Sequence, residues 1–393
     1  MMNGMKKQFI RSLLFLILPL LMPVAFLLIT LNRYGVSVPY MDEWSMVPIF
    51  QKINQGKSPL GLFWAQWTDN RIFFPRLIMT VTAYVTHWHI AIESLLSVCF
   101  ALLTAVLIYL IIQRGIKHRL LAFLTMLVSS FWLFSPVQSE NWLWGWQLEW
   151  FICTAGAVAT IYFINRIQGK KLYLNLTFAI VAAIVSSFSL SGGLVLWLIG
   201  LIVLIAKRQT KKPIIIWSVA AIVSLLAYFY KYKFISNGGG VFPLDFPHKI
   251  IGTISLFLAL LGRPFTDNLD TAMLLGAISL LIAVPVLFMA WEAKKKIEVF
   301  LPWLSLMAFS LFGAAMIAVG RISDTLVIAL HPRYTTFTIL YIIGLSGLIF
   351  TLVDIVKPNP SKKLLKYVTI VALAINIPLL LSSYHFPGQL VFT

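Results

Sequence analysis

Charge is what this chain has least of. Only 11% of its residues are Asp, Glu, Lys or Arg, against roughly 25% in ordinary soluble domains. Acids are scarcer still, 13 against 31 basic residues, which leaves a formal net charge of +18. Cysteine occurs twice, at Cys99 and Cys153, both inside apolar runs, so both read as small buried hydrophobes rather than a disulfide or metal pair. The triple glycine Gly238–Gly240 has no strand before it and no lysine at the P-loop position after it, which sets aside a phosphate cradle of that kind. No glycine-rich nucleotide fold or soluble Asp-x-Asp segment is apparent. What fills the sequence instead is apolar: 60% of the 393 residues are hydrophobic and the mean hydropathy is +0.90. The fold class implied is an all-α polytopic integral membrane protein.

A bilayer crossing needs about 20 apolar residues. The first run is Phe9–Leu31, preceded by Lys6, Lys7 and Arg11 and without a clear small-residue cleavage site, so it reads as a retained helix. The others are Ile90–Ile112, Leu120–Ser135, Trp150–Asn165, Leu172–Leu190, Leu194–Ala206, Pro213–Tyr230, Thr271–Trp291, Val299–Val319, Thr335–Val353 and Leu365–Ser383. That makes about eleven transmembrane helices in one domain, 1–393. Ile250–Leu261 is too short to span and reads as a half-helix or an interfacial helix.

The charges orient these spans. With the N-terminus in the cytoplasm, the inner connections hold 20 of the 31 basic residues and three of the 13 acids, a net of +17. The outer side holds 11 and 10, a net of +1. This is the positive-inside pattern, and a full span at Ile250–Leu261 would break it by putting Lys294–Lys296 outside. The +18 is an orientation signal, and nucleic acid is not an expected partner. The expected location is a membrane crossed many times, with the N-terminus on the cytoplasmic side.

The outer acids then become informative, because charge near hydrocarbon is costly and marks functional sites by default. The first outer loop, 32–89, carries Asp42 and Glu43 just past the first span, then Asp69, Arg71 and Arg76. The second, 136–149, sets Glu140, Gln147 and Glu149 among Trp142, Trp144, Trp146 and, next in sequence, Trp150. An interfacial aromatic belt accounts for the tryptophans. It does not account for the carboxylates and amides between them, which are the usual lining of a sugar pocket. The outer segment with the half-helix, 231–270, holds His248, Lys249 and Arg263, and the last outer loop, 320–334, holds Arg321, Asp324, His331, Arg333 and Tyr334. Outer-side arginines at helix ends suit a phosphate or diphosphate, which they bind through charge-assisted, often bidentate, hydrogen bonds.

Three motifs carry a family likeness. They are Asp42-Glu43-Trp44 followed by Thr68-Asp69-Asn70-Arg71-Ile72-Phe73-Phe74-Pro75-Arg76-Leu77; Glu140-Asn141-Trp142-Leu143-Trp144-Gly145-Trp146-Gln147; and the late pairs Gly320-Arg321 and Arg333-Tyr334. In this order they resemble the GT-C superfamily of membrane glycosyltransferases, including a group of bacterial members. Asn70 stands where a His is common in that group. The resemblance implies a GT-C-like fold whose outer-face loops form the active site. It also implies a sugar moved from a polyprenyl-phosphate donor to a surface glycan such as O-antigen, or to a lipid acceptor, with an acid of the first outer loop as base. Asp42 is the expected base and Glu43 its competitor. Arg321, Arg333, Arg71 and Arg263 are the donor-phosphate candidates, and Asp69, Glu140, Trp144, Gln147 and Tyr334 the sugar or acceptor candidates. No metal is assigned; Asp42, Glu43, Asp69 and Glu140 offer oxygens to Mg²⁺ or Mn²⁺, but separate loops leave no readable spacing.

Two alternatives stand beside this reading. A transporter or flippase places charges within its spans, near the midplane, whereas here Glu93 and Asp354 sit at span ends and no internal repeat is visible. An O-antigen polymerase or ligase generally places its catalytic residues in a long late outer loop, whereas the richest acidic loop here is the first. Topology is directly testable: reporters fused after Lys212 and after Gln66 are expected to mature in opposite compartments, and the same compartment for both would overturn the orientation.

Overall fold

The computed structural model describes residues 2–233, 246–321 and 325–355, together with Tyr384. The chain order is α1 (Met2–Tyr34), α2 (Val47–Asn54), α3 (Leu60–Trp64), α4 (Phe73–Thr86), α5 (Ala91–Gly115), α6 (Arg119–Leu133), α7 (Ser139–Leu143) and α8 (Leu148–Ile164). It continues with α9 (Leu172–Ser187), α10 (Val195–Ala206), α11 (Lys211–Phe229), α12 (Phe246–Gly262), α13 (Leu269–Glu292), α14 (Ile297–Gly320) and α15 (Thr335–Ile355). Among the described residues the only β pairing is the isolated bridge Trp67–Asn70. Nine helices among them are long and apolar enough to cross a membrane, so the protein is an all-α, multi-pass membrane protein.

Ten of the eleven expected runs fall on described helices. Leu194–Ala206 forms the shorter α10, a twelve-residue helix entered through a 3₁₀ turn, and Leu365–Ser383 lies outside the described residues. α12 runs 17 residues, beyond the expected Ile250–Leu261 at both ends. It buries Leu256, Ala259, Leu260 and Leu261 and pairs lengthwise with α13. At about 1.5 Å per residue it is roughly 25 Å long, short of the ~30 Å hydrocarbon core.

The bundle has a centre and a rim. α8 and α15 lie with 89% of their span residues buried, whereas α11 buries 22%. α8 packs on α5 and α9, and α15 packs on α14 and α6. Lipid offers a helix no hydrogen bonds, so hydroxyls in such spans need partners of their own. Thr104, Thr125, Ser129, Thr154, Thr160 and Thr351 each donate to the carbonyl four residues earlier. Between helices, Tyr341 donates to the Ser279 carbonyl at 2.8 Å and Ser310 to the Phe337 carbonyl at 2.7 Å.

The outer segments are less loop-like than the sequence suggests. Residues 41–86 fold into a 3₁₀ turn, α2, α3 and α4, around a satellite core of Met46, Ile49, Phe63, Ile72 and Met79 that also takes in Trp144 and Trp146. The second outer segment, expected as an interfacial loop, is a buried plug. Every residue from 138 to 150 is buried, so its tryptophans are packing groups and not a belt at a water interface. Trp142, for example, stacks on Phe151 with ring centres 4.3 Å apart.

The α12–α13 pair depends on a glycine. A Cβ at Gly276 would lie 2.0 Å from the Leu258 carbonyl oxygen, so only glycine lets the two backbones approach this closely. Gly276→Ala is expected to cost about 2 kcal/mol or more, read as a lowered unfolding midpoint in detergent.

Candidate functional site

The bundle has two chemically distinct ends. One gathers the lysine-rich connections; the other gathers the tryptophans and most of the acids. The candidate site is at the tryptophan-rich end, where the first outer segment meets the plug and the residues leading into α15.

Asp42 and Glu43 lie in the 3₁₀ turn Met41–Met46, and the alternation of this tight turn sends them to different surroundings. Glu43 is buried; it accepts hydrogen bonds from the backbone N–H of Tyr40 at 2.7 Å and of Trp146 at 3.1 Å. It thereby fastens the first outer segment to the plug. Burial outweighs these two bonds and, with the Asp42 charge adding to it, pushes its carboxyl up to about 7. Gly145 separates Glu43 from Glu93: a Cβ there would sit 3.0 Å from Glu43 Oε1 and 2.8 Å from Glu93 Oε2. A side chain there would make the ends of Glu93 and Ile90 shift.

Asp42 is half-buried; the indole N–H of Trp67 donates to it, and the charge of the Arg333 guanidinium acts on it. Burial raises its pKa above the ordinary value, and the two partners oppose the rise. Trp67 is presented by a turn in which Trp67 and Asn70 exchange two 2.8 Å backbone bonds and Thr68 is held at φ +46°, an uncommon and costly conformation for a β-branched residue.

Arg333 is the cation of this arrangement. Its backbone carbonyl accepts from Asn141 Nδ2 at 2.8 Å, its guanidinium lies 3.7 Å from Glu140 Oε1, and it sits over the Tyr334 ring at 5.4 Å. His331 approaches the other Glu140 oxygen at 3.8 Å. Behind Asp42 is Glu149, on which Asp42, Arg76 and Arg333 all act electrostatically. Arg76 is buried in α4; it donates to the carbonyls of Leu62 at 2.8 Å and Ala65 at 2.6 Å, and lies 5.8 Å from the Trp67 ring centre. Burial, against the pull of Glu149, lowers its pKa to about 10, so it stays charged at neutral pH.

The structure therefore brings together Asp42, Glu43, Glu140, Arg333 and Tyr334, with Trp144 and Gln147 buried in the plug beside them. Other expected residues serve elsewhere. Arg71 gives its guanidinium nitrogens to the carbonyls of Trp64 (2.6 Å), Tyr228 and Tyr230, clamping the first outer segment to the end of α11. Asp69 uses its backbone carbonyl, which accepts from the hydroxyls of Tyr228 and Tyr232. Arg263 donates to the Leu330 carbonyl at 2.5 Å and pairs with Asp267 at 2.6 Å. Arg321 ends α14, beside residues 322–324, and Asp324 is among those outside the described residues. The stretch with Gly238–Gly240 also lies outside them. Among the described residues no three His, Cys, Asp or Glu side chains are grouped to hold a metal.

Arg76, Glu149 and Glu93 were noted in the sequence without a site role, and Trp67 was not singled out. The signal for the two glutamates was present, since both are acids in the first turn of a long apolar helix. Eight buried polar atoms at this end have no partner: Arg76 Nε, Glu93 Oε2, Asn141 Oδ1, Trp144 Nε1, Gln147 Oε1, Glu149 Oε2, Arg333 Nε and Tyr334 Oη. Buried polar groups are normally paired, so this concentration at one end of the bundle sets it apart from the rest of the core.

No family model, curated protein or solved structure matches this chain. The class that fold and site define is a multi-pass, all-α membrane protein with a buried acid–arginine cluster at one end.

The Glu43 environment predicts a pH dependence. Its folded pKa lies above the ordinary glutamate value of 4.5, so the folded state holds this proton longer than the unfolded one. Stability is fully present below about 4.5 and falls as pH rises to about 7, by up to about 1.4 kcal/mol per pH unit. Glu43→Gln is expected to remove that part of the slope, measured by unfolding in detergent from pH 4 to 8.

Proposed function

We propose that this protein is a GT-C-like glycosyltransferase of a bacterial inner membrane. It moves a sugar from a polyprenyl-phosphate donor to a glycan or lipid acceptor at the tryptophan-rich end, which faces outward. The observation that carries the reading is that half-buried Asp42 lies within electrostatic reach of Arg333, which itself sits 3.7 Å from Glu140, where the first outer segment meets the entry to α15. The reaction needs a base for the acceptor hydroxyl and a cation for the departing phosphate. Asp42 takes the proton as the acceptor oxygen bonds to the anomeric carbon, and the bond from that carbon to the phosphate oxygen breaks. The electron pair leaves with the polyprenyl phosphate, whose charge Arg333 meets, and Asp42 then returns the proton to water. A raised pKa suits Asp42 to this role, because a base works best when its pKa is near the working pH. Arg321, next in chain to the described part of the last outer segment, is the second phosphate candidate. An eleventh helix at Leu365–Ser383 belongs to this proposal.

A transporter reading gains from one observation: Glu93 and Glu149 are buried and acidic within span helices. Both stand in the first turn of their helices and at the same end, not near mid-span where a transport site lies. The enzyme reading is preferred on that ground.

The test is sugar transfer in membranes carrying the protein, supplied with radiolabelled undecaprenyl-phosphate hexoses. Asp42→Asn is expected to lower transfer by roughly two to four orders of magnitude at unchanged expression. The wild-type rate should rise with pH through a midpoint above the ordinary carboxylate range. Transfer that survives Asp42→Asn would move the base elsewhere, and no transfer from any lipid-linked hexose would remove the enzyme reading.

A further inference from the structure

The opposite end of the bundle has a cavity that the transferase reading does not use. It holds about 140 Å³ between the ends of α5, α8 and α10 and the start of α14, roughly ten times the space one water needs. Its polar wall consists of Arg114, Tyr162, Asn165, Gln168, Lys207 and Glu298. Lys207 is half-buried and donates to the Asn165 carbonyl at 2.8 Å, which leaves two of its three N–H groups for another acceptor. The Arg166 guanidinium stands behind the wall, donating to the Tyr162 hydroxyl.

These cations crowd one another. Burial lowers the pKa of both Lys207 and Arg166, and the charge of Arg114 lowers each further. Glu298, held by Gln168 Nε2 at 3.2 Å, is the acid that opposes this on Lys207. Three helix C-termini meet here, and their partial negative charge by itself attracts cations. It does not account for a half-open polar space between the cations. Nor does it account for the indole N–H of Trp303, which is wholly buried, has no partner, and lies 3.8 Å from the Cβ position of Gly115 in the cavity wall.

We propose that this cavity binds a phosphate group, with Arg114 and Lys207 as its direct partners. A phosphate oxygen accepts charge-assisted hydrogen bonds from both, and its charge relieves the repulsion between them. Basic pockets between membrane helices on the positively charged side commonly take lipid headgroups; an anionic phospholipid and a free phosphate share this chemistry. The inference rests on the fold alone and stands or falls separately from the transferase reading.

The experiment titrates the full chain, in neutral detergent, with dihexanoyl phosphatidylglycerol, with inorganic phosphate, and with dihexanoyl phosphatidylcholine as the uncharged-headgroup control, reading the unfolding midpoint. Phosphatidylglycerol is expected to raise the midpoint more than phosphatidylcholine does. The double variant Arg114→Gln, Lys207→Gln is expected to need about tenfold more of it or greater. Glu298→Gln, a change at an exposed position, should leave folding intact and lower the required concentration about threefold, so a gain is tested as well as a loss. Protection that inorganic phosphate does not displace assigns the site to a lipid headgroup, and displacement assigns it to the phosphate group itself; both support the proposal. Identical titrations for wild type and both variants overturn it.

Discussion

An apolar surround offers a carboxylate no hydrogen-bond donor, so each acid at the tryptophan-rich end must be met by the protein itself or keep its proton. The arrangement of that end follows from this constraint. Glu43 is met by two backbone N–H groups from different segments, Asp42 by an indole and an arginine, and Glu140 by Arg333 and His331. Tyr40 and Trp67 belong to the first outer segment itself, but Trp146, Arg333 and His331 come from segments distant in sequence. The acids therefore draw the first outer segment, the plug and the entry to α15 into one body.

That body is stiff where the chemistry is proposed to occur. Arg71 closes the first outer segment onto the end of α11 through the Tyr228 and Tyr230 carbonyls and also holds the Trp64 carbonyl of α3, and Arg76 holds α3 and the residue after it through two more. A guanidinium is well suited to this work, since its planar fork carries five donors and stays charged when buried. The same property made Arg71 and Arg263 look like phosphate ligands in the sequence. Residue type and position near a helix end do not distinguish an arginine that binds a ligand from one that satisfies carbonyls; only the partners do.

Much of the fold was legible because hydropathy and the bilayer impose the same length scale. Ten expected runs coincide with helices, and Asp42, Glu43, Glu140 and Glu149, which charge asymmetry grouped on one side, lie together at one end of the bundle. The candidate site was legible in part. Arg333 acts on Asp42 across some 290 positions of sequence, and Glu43 bonds Trp146 across 103, and no local pattern encodes either. The stretch around Glu140 misled for a physical reason. Tryptophan favours both a membrane interface and a buried aromatic core, and alternation with acids looks the same in both. The burial that decides between them is a property of the neighbours.

One helix links the two ends. α15 begins just after Arg333 and ends with Asp354, which accepts from the backbone N–H groups of Lys117 and His118 at 2.6 and 3.2 Å. These bonds anchor the helix to the connection that starts α6. At about 1.5 Å per residue the helix is a rod of roughly 30 Å, buried along nearly its whole length. An axial slip of that rod would have to break the anchor at Asp354 and drag Arg333 past Asp42 together. The axial position of the arginine beside Asp42 is thus fixed like the tip of a strut whose foot is bolted at the far face.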